Sequence, residues 1–340
     1  MANHSKAKTG KLAGLAALVV LIVVAAWGLR QTGSDGALVG EGDDYPDKPL
    51  SLTVAYGPGG ATDLQARIAV EPAAEVLGQP IKVVNRPGAG GRVGWNWAVD
   101  SGGRDGYELI AYNLPHMIAQ WTHEPSLSYN ADNVVPVANW GADPAVLVVG
   151  KDSPFQTVAD VVDYARAHPG ELSVSGAGLY TGHHVAALQF QRAADVDINF
   201  LPAEQGGVQA LQFVIGGQVQ AGFNNLSDSW RNRDSLKILA VADTERSEFL
   251  PDVPTFQEAG VEVDDLSTNL RGVAVVKGVP EPHVERLAEK LPEVFRLEQV
   301  QTKLKNTGSG SLVLGLRETR ELFERKTRAI KALLAQDDAP

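Results

Sequence analysis

The sequence contains no cysteine. Disulfides, thiolate catalysis, cysteine zinc sites and lipid attachment at a cysteine are therefore excluded. Surplus positive charge is missing too: 30 Lys and Arg stand against 41 Asp and Glu, a formal net charge of -11. That balance argues against nucleic acid or an anionic membrane surface as a partner. It also means that local groups must meet any anionic ligand, because the global field repels it. Three enzyme signatures are absent: the G-x-S-x-G elbow, the G-x-x-x-x-G-K-S/T loop and the H-E-x-x-H helix. The one adjacent histidine pair, His183 and His184, suits a metal poorly, since neighbours at a helix start point apart. No catalytic residue, cofactor or metal is expected.

What is present is globular. With 44% hydrophobic and 21% charged residues in 340, the chain allows one large domain or two lobes. Its one long apolar run spans residues 12–29, after Lys6, Lys8 and Lys11. Positive charge followed by an apolar run is an export signal, which places the remainder outside the cytoplasm. Residues 1–30 thus form a signal peptide or membrane anchor, and the mediocre small-residue cleavage site at Val24-Ala25-Ala26 favours the anchor. Residues 31–47, rich in Gly and Asp, read as a flexible tether.

Residues 50–77 organise the rest. Leu50, Leu52 and Val54 belong to a strand, Gly57, Pro58, Gly59 and Gly60 break it, and Leu64 and Ile68 start a helical period. A strand that turns through glycines into a helix leaves the first amides without partners, which favours an anion. Tyr56 to Asp63 is therefore the first candidate binding turn; Asp63 at the helix start caps more readily than it acts as a base. A second glycine turn, Gly88, Ala89, Gly90 and Gly94, misses the dinucleotide spacing by one residue. Asn113 ends a third strand, where open α/β sheets place ligands. Gly176, Gly178 and Gly182 repeat the spacing at Gly88, with Tyr180, Thr181 and His184 between or beside them. Gln205 and Gly206 precede another helix, and Asn224 and Asn225 end another strand. Tyr56, Trp95 and Tyr180 suit a pocket wall or the core equally. Alternating strands and helices imply an α/β fold with a mainly parallel sheet in each of two lobes.

These motifs resemble, in order, the tripartite tricarboxylate transporter substrate-binding proteins, the Bug family. The resemblance rests on Tyr45-Pro46-Asp47-Lys48-Pro49, Gly57-Pro58-Gly59-Gly60-Ala61-Thr62-Asp63 and Leu77-Gly78-Gln79-Pro80. It continues through Asn85-Arg86-Pro87-Gly88-Ala89-Gly90-Gly91, Asp105-Gly106-Tyr107, Gly216-Gly217-Gln218-Val219 and Leu250-Pro251-Asp252-Val253-Pro254-Thr255-Phe256. It implies a periplasmic-binding-protein-like fold, a small organic acid held in an interlobe cleft, transporter membrane subunits as partners and a monomer. Lobe 1 would comprise 48–143 plus 270–334 and lobe 2 144–269, with two crossing strands as hinge. The carboxylate groups would be held by Tyr56, Gly57, Gly59, Gly60, Ala61, Thr62 and Asp63 and by the second-lobe turn at Gly176, Gly178, Tyr180, Thr181 and His184. Gly88, Ala89, Gly90, Asn113, Gln205, Gly206 and Asn224 complete the expected set. Ala203-Glu204-Gln205 and Asn224-Asn225 depart from the family pattern and bear on which acid is bound. Backbone amides of residues 59–62, not arginines, are expected to carry the anion. A ligand-sensing module of a signalling system would use the same cleft and is the alternative.

Overall fold

In the computed structural model, residues 44–337 are described, and the anchor expected over residues 1–30 lies outside them. Among the described residues no helix is long and apolar enough to cross a membrane. Lobe 1 begins with β1 (Leu50–Val54), α1 (Ala61–Val70), α2 (Ala73–Leu77) and β2 (Ile81–Asn85). Then follow α3 (Arg92–Ser101), β3 (Glu108–Leu114), α4 (His116–His123) and β4 (Val134–Asp143). Lobe 2 carries β5 (Ala145–Gly150), α5 (Val158–Ala167), β6 (Ser173–Gly176), α6 (Gly182–Ala194) and β7 (Asn199–Pro202). It ends with α7 (Gly207–Ile215), β8 (Ala221–Asn225), α8 (Leu226–Arg231) and β9 (Leu236–Ala242). The chain then re-enters lobe 1 as β10 (Asn269–Val276), α9 (Glu281–Arg296), α10 (Glu298–Asn306), β11 (Gly310–Leu314) and α11 (Leu316–Asp337).

The two-lobed α/β expectation holds. Sheet 1 has the order β11-β4-β10-β3-β1-β2 and sheet 2 the order β7-β6-β8-β5-β9. Both are mixed. Parallel pairing joins β2, β1 and β3, and β7, β6 and β8, the units in which helices alternate with strands. Antiparallel pairing surrounds β10 and β5, the strands that receive the chain from the other lobe. Each sheet is covered on both faces, and the period of two sorts its side chains. Leu109 and Ala111 of β3 pack on one face and Ile110, Tyr112 and Leu114 on the other. In β5, Ala145, Leu147 and Val149 part likewise from Val146 and Val148. Each such buried Leu, Ile or Val side chain contributes roughly 1.5–3 kcal/mol.

One crossing is β4 running through the single residue Pro144 into β5; the return passes through residues 243–268 before β10. Since β4 and β10 pair with Asp143 opposite Asn269, both crossings leave sheet 1 at one place. Some local readings differ from the sequence expectation. Pro72 has no N–H to continue a helix, so the helical period that begins after Ala61 divides into α1 and α2. Leu297, extended at φ -56 and ψ 135, likewise separates α9 from α10. The expected tether also ends early. Tyr45 is buried on lobe 1, and its hydroxyl donates to Gly106 O at 2.6 Å.

Candidate ligand-binding cleft

Most helix starts carry no side-chain cap, so an open start marks a site only where it faces ligand space. α5 begins with a capping box: Asp160 N donates to Thr157 Oγ1 at 3.2 Å, and Thr157 N to Asp160 Oδ2 at 2.9 Å. α1, α6 and α7 start at Gly60, Thr181 and Gly206 with no side-chain cap. A cleft of about 570 Å3 lies between the lobes, and two of these uncapped starts open onto it.

From lobe 1 the cleft is lined by Tyr56, Gly57, Pro58, Gly60, Ala61 and Thr62. The amides of Ala61, Thr62 and Asp63 precede the first helical bond, Leu64 N to Gly60 O. Asp63 does not face the ligand space. Its carboxylate accepts from Gly59 N at 2.9 Å and Asn85 Nδ2 at 2.8 Å, and pairs with Arg67 Nη2 at 2.9 Å. Burial pushes its carboxyl up, but the bonds from Arg67, Gly59 and Asn85 outweigh this and hold it below the usual value. Asp63 therefore braces the turn and is no base. Gly59 stands at φ +86, a conformation that favours glycine, and serves the turn rather than the lining. Pro87, Gly88 and Ala89 add a second lining edge, while the Gly90 carbonyl is occupied by Tyr56 Oη and Gln120 Nε2, each at 3.0 Å.

Lobe 2 departs from the expectation. Its lining comes from Ala177, Glu204, Gln205 and Gly206 and from Gly207, Val208, Gln209 and Gln212 of α7. Gly176, Gly178, Tyr180, Thr181 and His184 are not part of it. The reason is that lobe 1 already covers the α6 start: Gly182 N donates to His116 Nδ1 of α4 at 3.2 Å. Around it, Thr181 Oγ1 donates to Gly178 O at 2.8 Å, and the Tyr180 ring stacks on His123 of lobe 1 at 3.9 Å. A Cβ at Gly178 would stand 3.5 Å from Gly90 Cα, ordinary contact distance, so the two loops lie against each other here. His184 lines a separate small hollow with His123 and Leu188. Gln205 and Gly206 do line the cleft, whereas Asn224 supports it from behind, its Nδ2 donating to Gly207 O at 2.8 Å.

The floor is a buried polar network that the motifs did not announce. Arg271 of β10 is wholly buried and pairs with Asp143 at 2.8 Å. Its Nε donates to Thr62 Oγ1 at 3.2 Å, and its Nη2 to Asn225 Oδ1 at 3.0 Å. Asn225 Oδ1 also takes Asn269 Nδ2, and Asn225 Nδ2 donates to Asp228 Oδ2 at 3.0 Å. His183 Nδ1 accepts Ala177 N–H at 3.0 Å, which leaves the neutral ring's proton on Nε2, 3.2 Å from Asn225 Oδ1. Burial pushes His183 down to about 4, with Arg271 adding to it against the pull of Asn225 and Asp143. His116 is held well below its ordinary value by burial, His183 and Arg271. Burial raises the Asp228 carboxyl against its partner Arg231. One sequence signal did exist: Arg271 is the single charge in the otherwise apolar stretch 270–276.

Residues 65–334 match the family described as the tripartite tricarboxylate transporter family receptor. The chain belongs to that family. Protein BugT of Bordetella pertussis is 32% identical over 64% of this chain and 68% of its own. MatC from Rhodopseudomonas palustris, solved with bound malate, is 27% identical with a TM-score of 0.77, over 85% of this chain and 99% of that one. An R. palustris protein solved with adipate is 25% identical with a TM-score of 0.78, over 85% and 97%. Membership makes the chain a Bug-type receptor, a class that binds solutes rather than transforming them.

Proposed function

We propose that this receptor captures a small organic carboxylate in the cleft outside the cytoplasm and delivers it to the membrane subunits of a tripartite tricarboxylate-type transporter. The observation that carries the reading is the meeting of two uncapped helix starts from opposite lobes. A side chain at Gly60, the α1 start, would stand 3.7 Å from Val208 Cγ2 in the first turn of α7. Two positive helix ends facing one space are a site for an anion. The net charge of -11 opposes an acid only weakly, since its field is screened beyond about 8 Å at physiological salt. Amides act at contact, where a hydrogen bond to a charged group contributes roughly 1.5–3 kcal/mol.

In this reading the ligand meets Tyr56, Gly60, Ala61 and Thr62 from one lobe and Gly206 and Val208 from the other. The lobes, 48–143 with 270–334 and 144–269, close on it as a monomer. Malate and adipate in the related solved proteins support an acid of this size, and 570 Å3 lies in the range of small-molecule pockets. Calorimetry with malate, succinate, adipate and their neutral diamides tests it. Binding of at least one acid and of no diamide is expected; uniform silence, or equal binding of the diamides, removes the carboxylate reading. Loss of uptake of the bound acid on deleting the gene tests delivery, and unchanged uptake with an altered transcriptional response would favour sensing.

A further inference from the structure

The deep end of the cleft is polar in a way that an anion alone does not satisfy. Thr62 Oγ1 has both lone pairs engaged, by Asn113 Nδ2 at 2.9 Å and by Arg271 Nε at 3.2 Å. Its own proton must therefore be donated elsewhere. Arg271 has five N–H groups: one goes to Thr62, two to Gln65 Oε1 and Asp143 Oδ2 at 3.2 and 2.8 Å, and one to Asn225. One hydrogen on Nη2 is left over. Asn113, almost wholly buried, turns its nitrogen to Thr62 and leaves Oδ1 with no donor. All three residues line the cleft.

A carboxylate oxygen carries only lone pairs, so against Asn113 Oδ1 it would place acceptor on acceptor. Glu204 lines the same cleft and opposes a negative group further, while Asp228 is balanced by Arg231. The Arg271 charge is already balanced by Asp143, so it offers a directed N–H rather than net attraction. A hydroxyl meets these demands together: it donates to Asn113 Oδ1 and accepts from Thr62 Oγ1–H or Arg271 Nη2–H. A deoxy analogue would leave Asn113 Oδ1 unpaired and buried, which costs a site more than the bond itself gains.

We infer that the ligand is a hydroxy acid, its carboxylate at the two helix starts and its hydroxyl between Thr62, Asn113 and Arg271. This rests on the carboxylate reading above. The test uses pairs of acids that differ by one hydroxyl: lactate and propionate, malate and succinate, citrate and tricarballylate, titrated into the protein by calorimetry. In at least one pair the hydroxy acid should bind roughly 10- to 100-fold tighter. Asn113→Leu should erase that preference while the deoxy acid still binds, and Thr62→Ser, which keeps the hydroxyl, should retain it; thermal melts confirm that both variants fold. Equal affinities within every pair mean that water alone fills the deep end, and overturn the inference while carboxylate binding stands. If no acid of any pair binds, this inference falls, and the carboxylate reading then rests on adipate alone. A preference that survives Asn113→Leu unchanged also overturns it, because the discrimination then arises elsewhere.

Discussion

Arg271 and Asp143 lie on neighbouring antiparallel strands where the chain passes between the lobes, and they pair at 2.8 Å with neither side chain exposed. Asp143 is also the acceptor for Ser227 N at 3.0 Å, Ser227 Oγ at 2.6 Å and Gln65 Nε2 at 3.1 Å. One carboxylate thus ties β10, α1 and the start of α8 together at the crossing.

Removing one half of this pair should be far worse than removing both. Asp143→Ala leaves a buried guanidinium uncompensated and should destabilise by about 3–5 kcal/mol. Asp143→Leu with Arg271→Met, which removes the charges and keeps the volume, should recover most of that. Urea unfolding midpoints measure both. A loss below about 1 kcal/mol for Asp143→Ala would show that water reaches the pair.

The cleft entrance separates two kinds of positive group. Gly60 stands at φ -77, so Gly60→Val does not strain the turn; it fills the space before the α1 amides. Losing two charge-assisted bonds should weaken acid binding by roughly two to four decades. Arg67→Gln removes a half-exposed partner of Asp63, which keeps Gly59 N and Asn85. Affinity should change by less than about threefold. Calorimetry on the two variants decides, and the reverse order would assign the anion to Arg67.

Acid should loosen the protein through its histidines. His183 is lowered from 6.5 to about 4 by burial, and His116 is lowered as well. Above pH 6.5 both rings are neutral folded and unfolded, so neither affects stability. As pH falls below 6.5 the unfolded chain binds protons that the folded chain refuses, and stability drops until the folded value is reached. For His183 the fall from 6.5 to about 4 corresponds to about 3 kcal/mol. Melting temperatures between pH 7 and 4 should decline, and His183→Gln, neutral throughout, should flatten part of the slope. A variant whose decline matches the wild type would clear His183 of any part in it.

The first turn that lines the cleft was legible in the sequence because its cause is local. Leu50 to Val54, the glycines and the helical period after Ala61 lie within one strand–turn–helix unit, and the exposed amides follow from that order alone. The two lobes were legible for the same reason, since strand–helix alternation and the motif order span the chain. The second-lobe lining was not. The turn at Gly176 to His184 repeats the spacing of Gly88, but only packing reveals that His116 occupies the α6 amide and leaves the α7 start to the cleft. Adjacent candidates were also beyond reach of spacing: His183 rather than His184 lines the cleft, and Asn225 rather than Asn224, because local geometry turns neighbouring side chains apart. Arg271 is the clearest case. A single charge in an apolar strand announces that it needs a partner, but Asp143 lies 128 residues away and becomes its neighbour only when β10 returns beside β4. Sequence determined what each segment could offer; the register between strands far apart in the chain decided which offers meet.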